Sequence, residues 1–356
     1  MKDRLYAAHA EAATFYRHQL NELPGGWAAG HLRVRSLGAL LAPDSRWRVG
    51  YAPDGWSRLV HHLRRAGFGD GEMLAAGLAF VTSNGYLVDR FRDRIMFAAH
   101  DETLRVAGFI GRAAGDRLRY LNTRNTAIYS KARTLIGVDA QVDRLQAGAV
   151  PVFVEGTMDA AAVDLAGEAW AGAASCGTAI TREQALIARS YSRSGAAIVA
   201  LDGDLGGRMG AVRSLPALSE VFDEVLFARL PDGQDPAALH AAGQAGLRDV
   251  LSSARPLVDY AVEVELSRWA NVLDHLSGQV NAVRAVAPLV ASMPSRRVAG
   301  AIARLARAVD LDARIVSDEV VAVAGRCREH RPRRRQSLGC EMTEVEVDPP
   351  GCSRSP

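Results

Sequence analysis

Over residues 1–24 the apolar positions recur at helical spacing, with Leu5, Ala8, Ala12, Phe15 and Leu20 on one face, and Pro24-Gly25-Gly26 closes the run. That pattern predicts one amphipathic helix. Two short helices are predicted within 56–80, on either side of the Gly67-Phe68-Gly69-Asp70 break. From Gly85 the grammar changes. GYLVDRFRDRIMFAAHD, LRVAGFIGRAAGD and LRYLNT are short alternating runs divided by polar or glycine turns, which predicts a β-meander. Residues 150–240 alternate strand-like and helix-like patterns, as a parallel α/β unit does. From Pro256 to about Ala324 the chain reads as helical, with stops at Ser277-Gly278, Pro294 and Asp310. The remainder, with its HRPRRRQ run and proline-rich end, predicts a disordered charged tail over 326–356. The expected divisions are 1–145, 146–245, 255–325 and that tail.

Within the α/β stretch, VFVEGTMDA (152–160) is answered by IVALDGDLGG (198–207). Each reads as a short buried strand that breaks off at acidic side chains and a glycine. Side by side in a parallel sheet, they would bring Glu155, Asp202 and Asp204 to the carboxyl edge, where α/β sheets place their sites. Clustered carboxylates repel one another unless a cation sits between them, so a hard divalent metal is the natural occupant. The plainer alternative makes DGD a turn and Glu155 a helix N-terminal acid. In DRFRDRIMF, Arg90, Arg92 and Arg94 alternate at period 2 and would share one strand face, with Asp89 and Asp93 opposite. Such a row is a phosphate track, or else a solvated strand face.

Composition narrows this little. A formal net charge of +3 neither calls for nor excludes a nucleic-acid partner. No apolar run approaches the roughly 20 residues that span a bilayer, and the first residues lack a signal-peptide core, so no membrane role is expected. The cysteines, Cys176, Cys327, Cys340 and Cys352, form no disulfide framework, which points to a reducing, cytoplasmic setting. The tail's Cys327, His330, Cys340 and Cys352 lack the paired spacing of a zinc knuckle, so no zinc is expected. Lys2 and Lys131 are the only lysines in an arginine-dominated chain, which singles out Lys131. Arg296, Arg297, Arg304 and Arg307 suit a solvated helix face better than a cationic surface, and RPRRR (331–335) would add nonspecific affinity for nucleic acid or none.

VEGTMDA, SCGTAIT (175–181), ALDGDLGGRMGA (200–211) and LPDGQDP (230–236) together resemble the Toprim domain of bacterial DnaG-type primases. Upstream, FYRHQL, WRVGYAPDGW, AGL, GYLVDRFRDRIMF, GFIGR, YLNT and IYSKARTLIGV occur in the order of the same family's catalytic core. The resemblance covers roughly residues 10–325 and fits only weakly from Gly26 to Leu41. It implies an α+β fold: a basic mixed N-terminal subdomain over 1–145, a central α/β Toprim sheet and a C-terminal helical subdomain. It implies a primase that makes short RNA primers on single-stranded DNA from nucleoside triphosphates, in the cytoplasm and associated with the nucleoid. Two or more Mg2+ or Mn2+ ions would be held by Glu155, Asp202 and Asp204, with Asp235 and Asp159 behind them. Family members commonly continue LPDGxDP with a further acid where this chain has Ala237, which leaves weaker metal binding or a larger part for Asp232. Arg90, Arg92, Arg94, Arg112, Arg119, Asn122 and Lys131 match basic or polar positions that face nucleotide or template, Lys131 close to the nucleotide. The family's zinc ribbon has no counterpart before Cys176, so the chain would choose start sites poorly or borrow that function from a partner, either a replicative helicase or a separate zinc-bearing initiation protein. Competing readings are a Toprim nuclease and a non-catalytic, DNA-binding accessory of replication.

Overall fold

The computed structural model describes residues 1–115 and 118–329, except for the side chains of Gln244 and of 326–329. The described residues form two compact units, one over 1–268 and one that begins at 269. In the first, α1 (Lys2–Glu22), α2 (Trp27–Val34), β1 (Gly50–Ala52), α3 (Arg58–Arg65) and α4 (Asp70–Ala75) precede the strands β2 (Ala79–Val81), β3 (Leu87–Asp89), β4 (Arg94–His100), β5 (Val106–Arg112) and β6 (Tyr120–Asn122). Then α5 (Val142–Ala147), β7 (Val150–Val154), α6 (Thr157–Ala166), β8 (Trp170–Ala174), α7 (Arg182–Tyr191), β9 (Ala196–Val199), α8 (Leu205–Ser219) and β10 (Glu224–Phe227) alternate. Helices α9 (Pro236–Ala242) and α10 (Gln244–Ser252), a short β11 (Arg255–Pro256) and α11 (Leu257–Ser267) complete the unit.

The meander β1-β4-β5-β6 is antiparallel throughout. Helix α1 lies on it through the predicted Leu5, Ala8, Ala12, Phe15 and Leu20, joined by His9 and Tyr16. Gly50 permits that contact, because a Cβ there would overlap Tyr16. The second sheet has the order β11-β10-β9-β7-β8, with β10, β9, β7 and β8 parallel and β11 antiparallel at the edge. Val152 pairs with Ile198 and Phe153 with Val199, so the VFVEG and IVALDGD strands are direct neighbours in register. One hydrophobic core runs without a break from Val49, Ile95 and Phe97 to Val152, Val154 and Ala174. The boundary expected at 145/146 therefore falls within a shared core.

The second unit contains α12 (Leu276–Ala291), α13 (Ser295–Val309) and α14 (Ala313–Glu329). The stop expected at Ser277-Gly278 is displaced, since both residues lie in the first turn of α12 and the break precedes it. Gly278 is needed for packing instead: a Cβ there would overlap the Val272 carbonyl. Pro294 and Asp310, the latter left-handed at φ +52°, separate α12, α13 and α14 as expected. Helix α14 continues to Glu329. The rest of the predicted tail, with RPRRR, His330, Cys340 and Cys352, lies outside the described residues.

Candidate nucleotidyl-transfer site

Strand β7 ends at Val154 and β9 at Val199, and the turns that follow carry Glu155 and Asp202-Gly203-Asp204 to the same sheet edge. The backbone N–H of Asp202 donates to the Glu155 carboxylate. Asp204 caps α8, accepting from Gly207 N at 2.7 Å. Burial, then the charges of Glu155, Asp235 and Asp204, push Asp202 up to about 7. Glu155 is also raised, by burial first and then by Asp204 and Asp159. Among the described residues Asp202 Oδ1 is buried without a hydrogen-bond partner, as is Thr157 Oγ1, two residues past Glu155. A buried, unpartnered carboxylate oxygen among other carboxylates is an electrostatic deficit that a cation would relieve.

A second loop is zipped against the first. Gly203 N donates to Gln234 O at 2.8 Å, Gly233 N to Gly203 O at 3.3 Å, and any Cβ on Gly203 would overlap the Pro231 carbonyl. This brings LPDGQDP beside DGD. Asp235 caps α9 and pairs with Arg35 Nη2 at 3.1 Å. Asp159 is buried on α6, accepting from Gly156 N at 3.1 Å and Ala237 N at 3.0 Å. Burial, then Asp235 and Asp202, raise it to about 7. Ala237 is wholly buried, so its departure from the family pattern lies in packed interior. Asp232 points outward and pairs with Arg208 at 2.6 Å. Among the described residues no three His, Cys, Asp or Glu side chains are grouped tightly enough to enclose one ion. The carboxylates line an edge, and their hard oxygen donors and the orphaned Asp202 Oδ1 suit Mg2+ or Mn2+.

The arginine row is corrected. Strand β3 ends at Asp89, β4 begins at Arg94, and Asp93 between them is left-handed at φ +47°, so 90, 92 and 94 share no strand face. The flanking acids enforce the turn. Asp89 accepts from Leu59 N and Val60 N at 2.8 Å each, and Asp93 accepts from Tyr51 Oη and Trp27 Nε1. Arg94 is buried, with Nη1 donating to the carbonyls of Gly111, Leu118 and Arg119, which is a structural use. Arg90 donates to Asn122 O at 3.2 Å while its buried Nε finds no partner among the described residues. Arg92 lies over the exposed Trp56 ring, 4.7 Å from its centroid.

Arg112 closes β5, hydrogen-bonds Tyr120 and keeps a buried Nε without a partner among the described residues. Burial, then Arg112, Arg35 and Arg119, push His31 down to about 4. Tyr120 feels Arg112 as well as Asp159 and Asp235. Cations of the meander and of α2 therefore meet the rear of the acidic edge. Lys131 lies exposed in a short turn; Gln184 Nε2 donates to its carbonyl, and its side chain approaches Gly177. Sequence reasoning missed His31 and Arg35, which fall in the weakly matching 26–41 stretch, and assigned nothing to Arg208.

Residues 15–142 match the family described as DNA primase catalytic core, N-terminal domain, and residues 152–240 match the Toprim-like family. The DNA primase of Mycobacterium tuberculosis is 34% identical over 300 residues, covering 81% of this chain and 46% of the relative. The chain thus spans about half the length of the curated relatives it matches. The RNA polymerase domain of M. tuberculosis primase DnaG, crystallised with double-stranded DNA, superposes with a TM-score of 0.68 at 32% identity, covering 87% of this chain and 99% of that one. A DnaG primase catalytic domain bound to single-stranded DNA gives 0.71 at 27% identity, covering 87% and 97%.

Proposed function

Because this chain belongs to the family of bacterial DnaG-type primase catalytic cores, we propose that it polymerises ribonucleotides into short primers on single-stranded DNA. The observation that carries the reading is the buried, unpartnered Asp202 Oδ1, on a carboxylate raised to about 7 by burial, Glu155, Asp235 and Asp204. In the reaction the primer's 3′-hydroxyl oxygen attacks the α-phosphorus of a nucleoside triphosphate. The bond from that phosphorus to the β-phosphate oxygen breaks, pyrophosphate leaves, and the hydroxyl proton passes to solvent. Mg2+ or Mn2+, when bound there, would supply charge neutralisation for this transfer. Glu155, Asp202 and Asp204 would hold two or more such ions along the edge, with Asp235 adding negative charge beside Asp202 and Asp159 behind, its Oδ1 bound to Ala237 N.

Around that edge the basic residues divide the remaining work. Arg90, Arg92, Arg112, Arg119 and Asn122 face template or nucleotide, and Lys131 stands near the nucleotide. Arg94 supports the wall on which they sit. Residues 1–145, 146–245 and 255–325 supply the basic wall, the acidic edge and a helical subdomain. Single-stranded DNA and nucleoside triphosphates are its expected ligands, and a replicative helicase is an expected partner.

Asp202→Asn keeps the side chain's size and removes its charge. It is expected to lower primer synthesis at least 100-fold, about 2.7 kcal/mol of barrier, and to weaken Mn2+ binding, with affinity for single-stranded DNA retained. Synthesis at the wild-type rate would remove Asp202 from the metal site. No product from a wild-type chain that still binds single-stranded DNA would favour the accessory, DNA-binding reading.

A further inference from the structure

Arg208 stands on the first turn of α8, four residues after Asp204, and its place in the GGRMGA run implies no role. Its Nη1 donates to the Gly203 carbonyl at 3.0 Å and to Asp232 Oδ1 at 2.6 Å. The first bond anchors the guanidinium beneath the turn that carries Asp202 and Asp204. The second bond is of another kind. The Arg208 side chain is 21% exposed, but that of Asp232 is 83% exposed. A pair with one partner still in water contributes about 0–1 kcal/mol, so it locks little and exchanges readily. Both bonds leave from Nη1, and among the described residues no acceptor meets Nε or Nη2. Those nitrogens form the fork with which a guanidinium holds a phosphate bidentately. The molecule thus presents an anchored arginine beside the acidic edge, with a carboxylate lightly held where a stronger anion would fit.

We propose that Arg208 grips a phosphate of a metal-bound polyphosphate, the incoming nucleoside triphosphate or the pyrophosphate it releases, and that Asp232 holds the guanidinium in place until that anion arrives. The proposal rests on reading the edge as a nucleotidyl-transfer site. When the polyphosphate binds, Asp232 returns to water at little cost, while the Gly203 bond keeps the guanidinium aimed. A structural latch would behave differently, because both halves of a latch matter equally.

The test uses the full chain in Mn2+, with ATP and inorganic pyrophosphate titrated separately and labelled single-stranded DNA as a third probe. Arg208→Met should weaken ATP binding about tenfold, the size of one charge-assisted hydrogen bond, with unchanged Tm and DNA affinity. Arg208→Lys should restore part of it, as charge without the fork. Asp232→Asn should leave ATP binding unchanged or tighten it. A parallel loss of pyrophosphate binding in Arg208→Met places the grip on phosphates common to both ligands; loss for ATP alone places it on the triphosphate. Equal weakening by Arg208→Met and Asp232→Asn would overturn the proposal in favour of a latch. Lost DNA affinity with normal ATP binding would overturn it in favour of a template contact. A wild-type chain that bound ATP through Arg208 but made no primer would contradict the proposed function and leave the Arg208 assignment standing.

Discussion

Asp202 and His9 show how burial acts in opposite senses on an acid and a base. Burial raises Asp202, and the neighbouring carboxylates raise it further. Fully buried, with Nδ1 2.9 Å from Leu5 O, His9 is pushed down to about 4. Its Nε2 has no partner among the described residues, and its ring stacks on Phe109 with centroids 5.7 Å apart. Between pH 4 and 6.5 the unfolded chain binds a proton here that the folded chain refuses, so stability falls as pH drops through that window. At pH 5 this costs about 2 kcal/mol. His9→Leu is therefore expected to lose about 2 kcal/mol less than wild type between pH 7.5 and pH 5 in urea unfolding. Equal losses in the two proteins would mean that His9 titrates normally. The acids of the edge were legible in the sequence because they directly follow apolar strand runs. Arg35 was not, because its partner Asp235 lies 200 positions away and no local pattern announces such a pair.

At the scale of elements, small residues set how closely helix and sheet approach. A Cβ on Gly172 of β8 would overlap the carbonyl of Ala160 on α6, the helix that carries Asp159. Gly172→Ala should therefore lower unfolding free energy by about 1–3 kcal/mol, the range for overpacking. Gly25→Ala, with nothing near the added carbon, should be neutral within about 0.5 kcal/mol. Matching denaturation midpoints for both variants would contradict the close α6–β8 packing. Strands β7 and β9 were readable because each is a continuous apolar run that gives way to acid and glycine. The arginine row misled for a specific reason. Alternation through DRFRDR looks like a strand, but Asp89 is taken up by the α3 backbone and Asp93 by Tyr51 and Trp27, which turns the chain between β3 and β4. Strand periodicity cannot see acids recruited by distant partners.

Across the first unit, one continuous core joins the meander to the parallel sheet, so basic wall and acidic edge are held as one body. Arg35 paired with Asp235 ties α2 to the loop beside Asp202. The similarity to primase polymerase domains extends over 87% of the chain, and the account stands on what the acidic edge does within that frame. Primer synthesis on a mixed-sequence single-stranded DNA template, with labelled ribonucleotides and with Mn2+, Mg2+ or chelator, tests it most directly. The account predicts short RNA that requires the metal, appears with wild type and is absent with Asp202→Asn. Metal-independent product, or none from a folded wild-type chain that still binds the template, would contradict it.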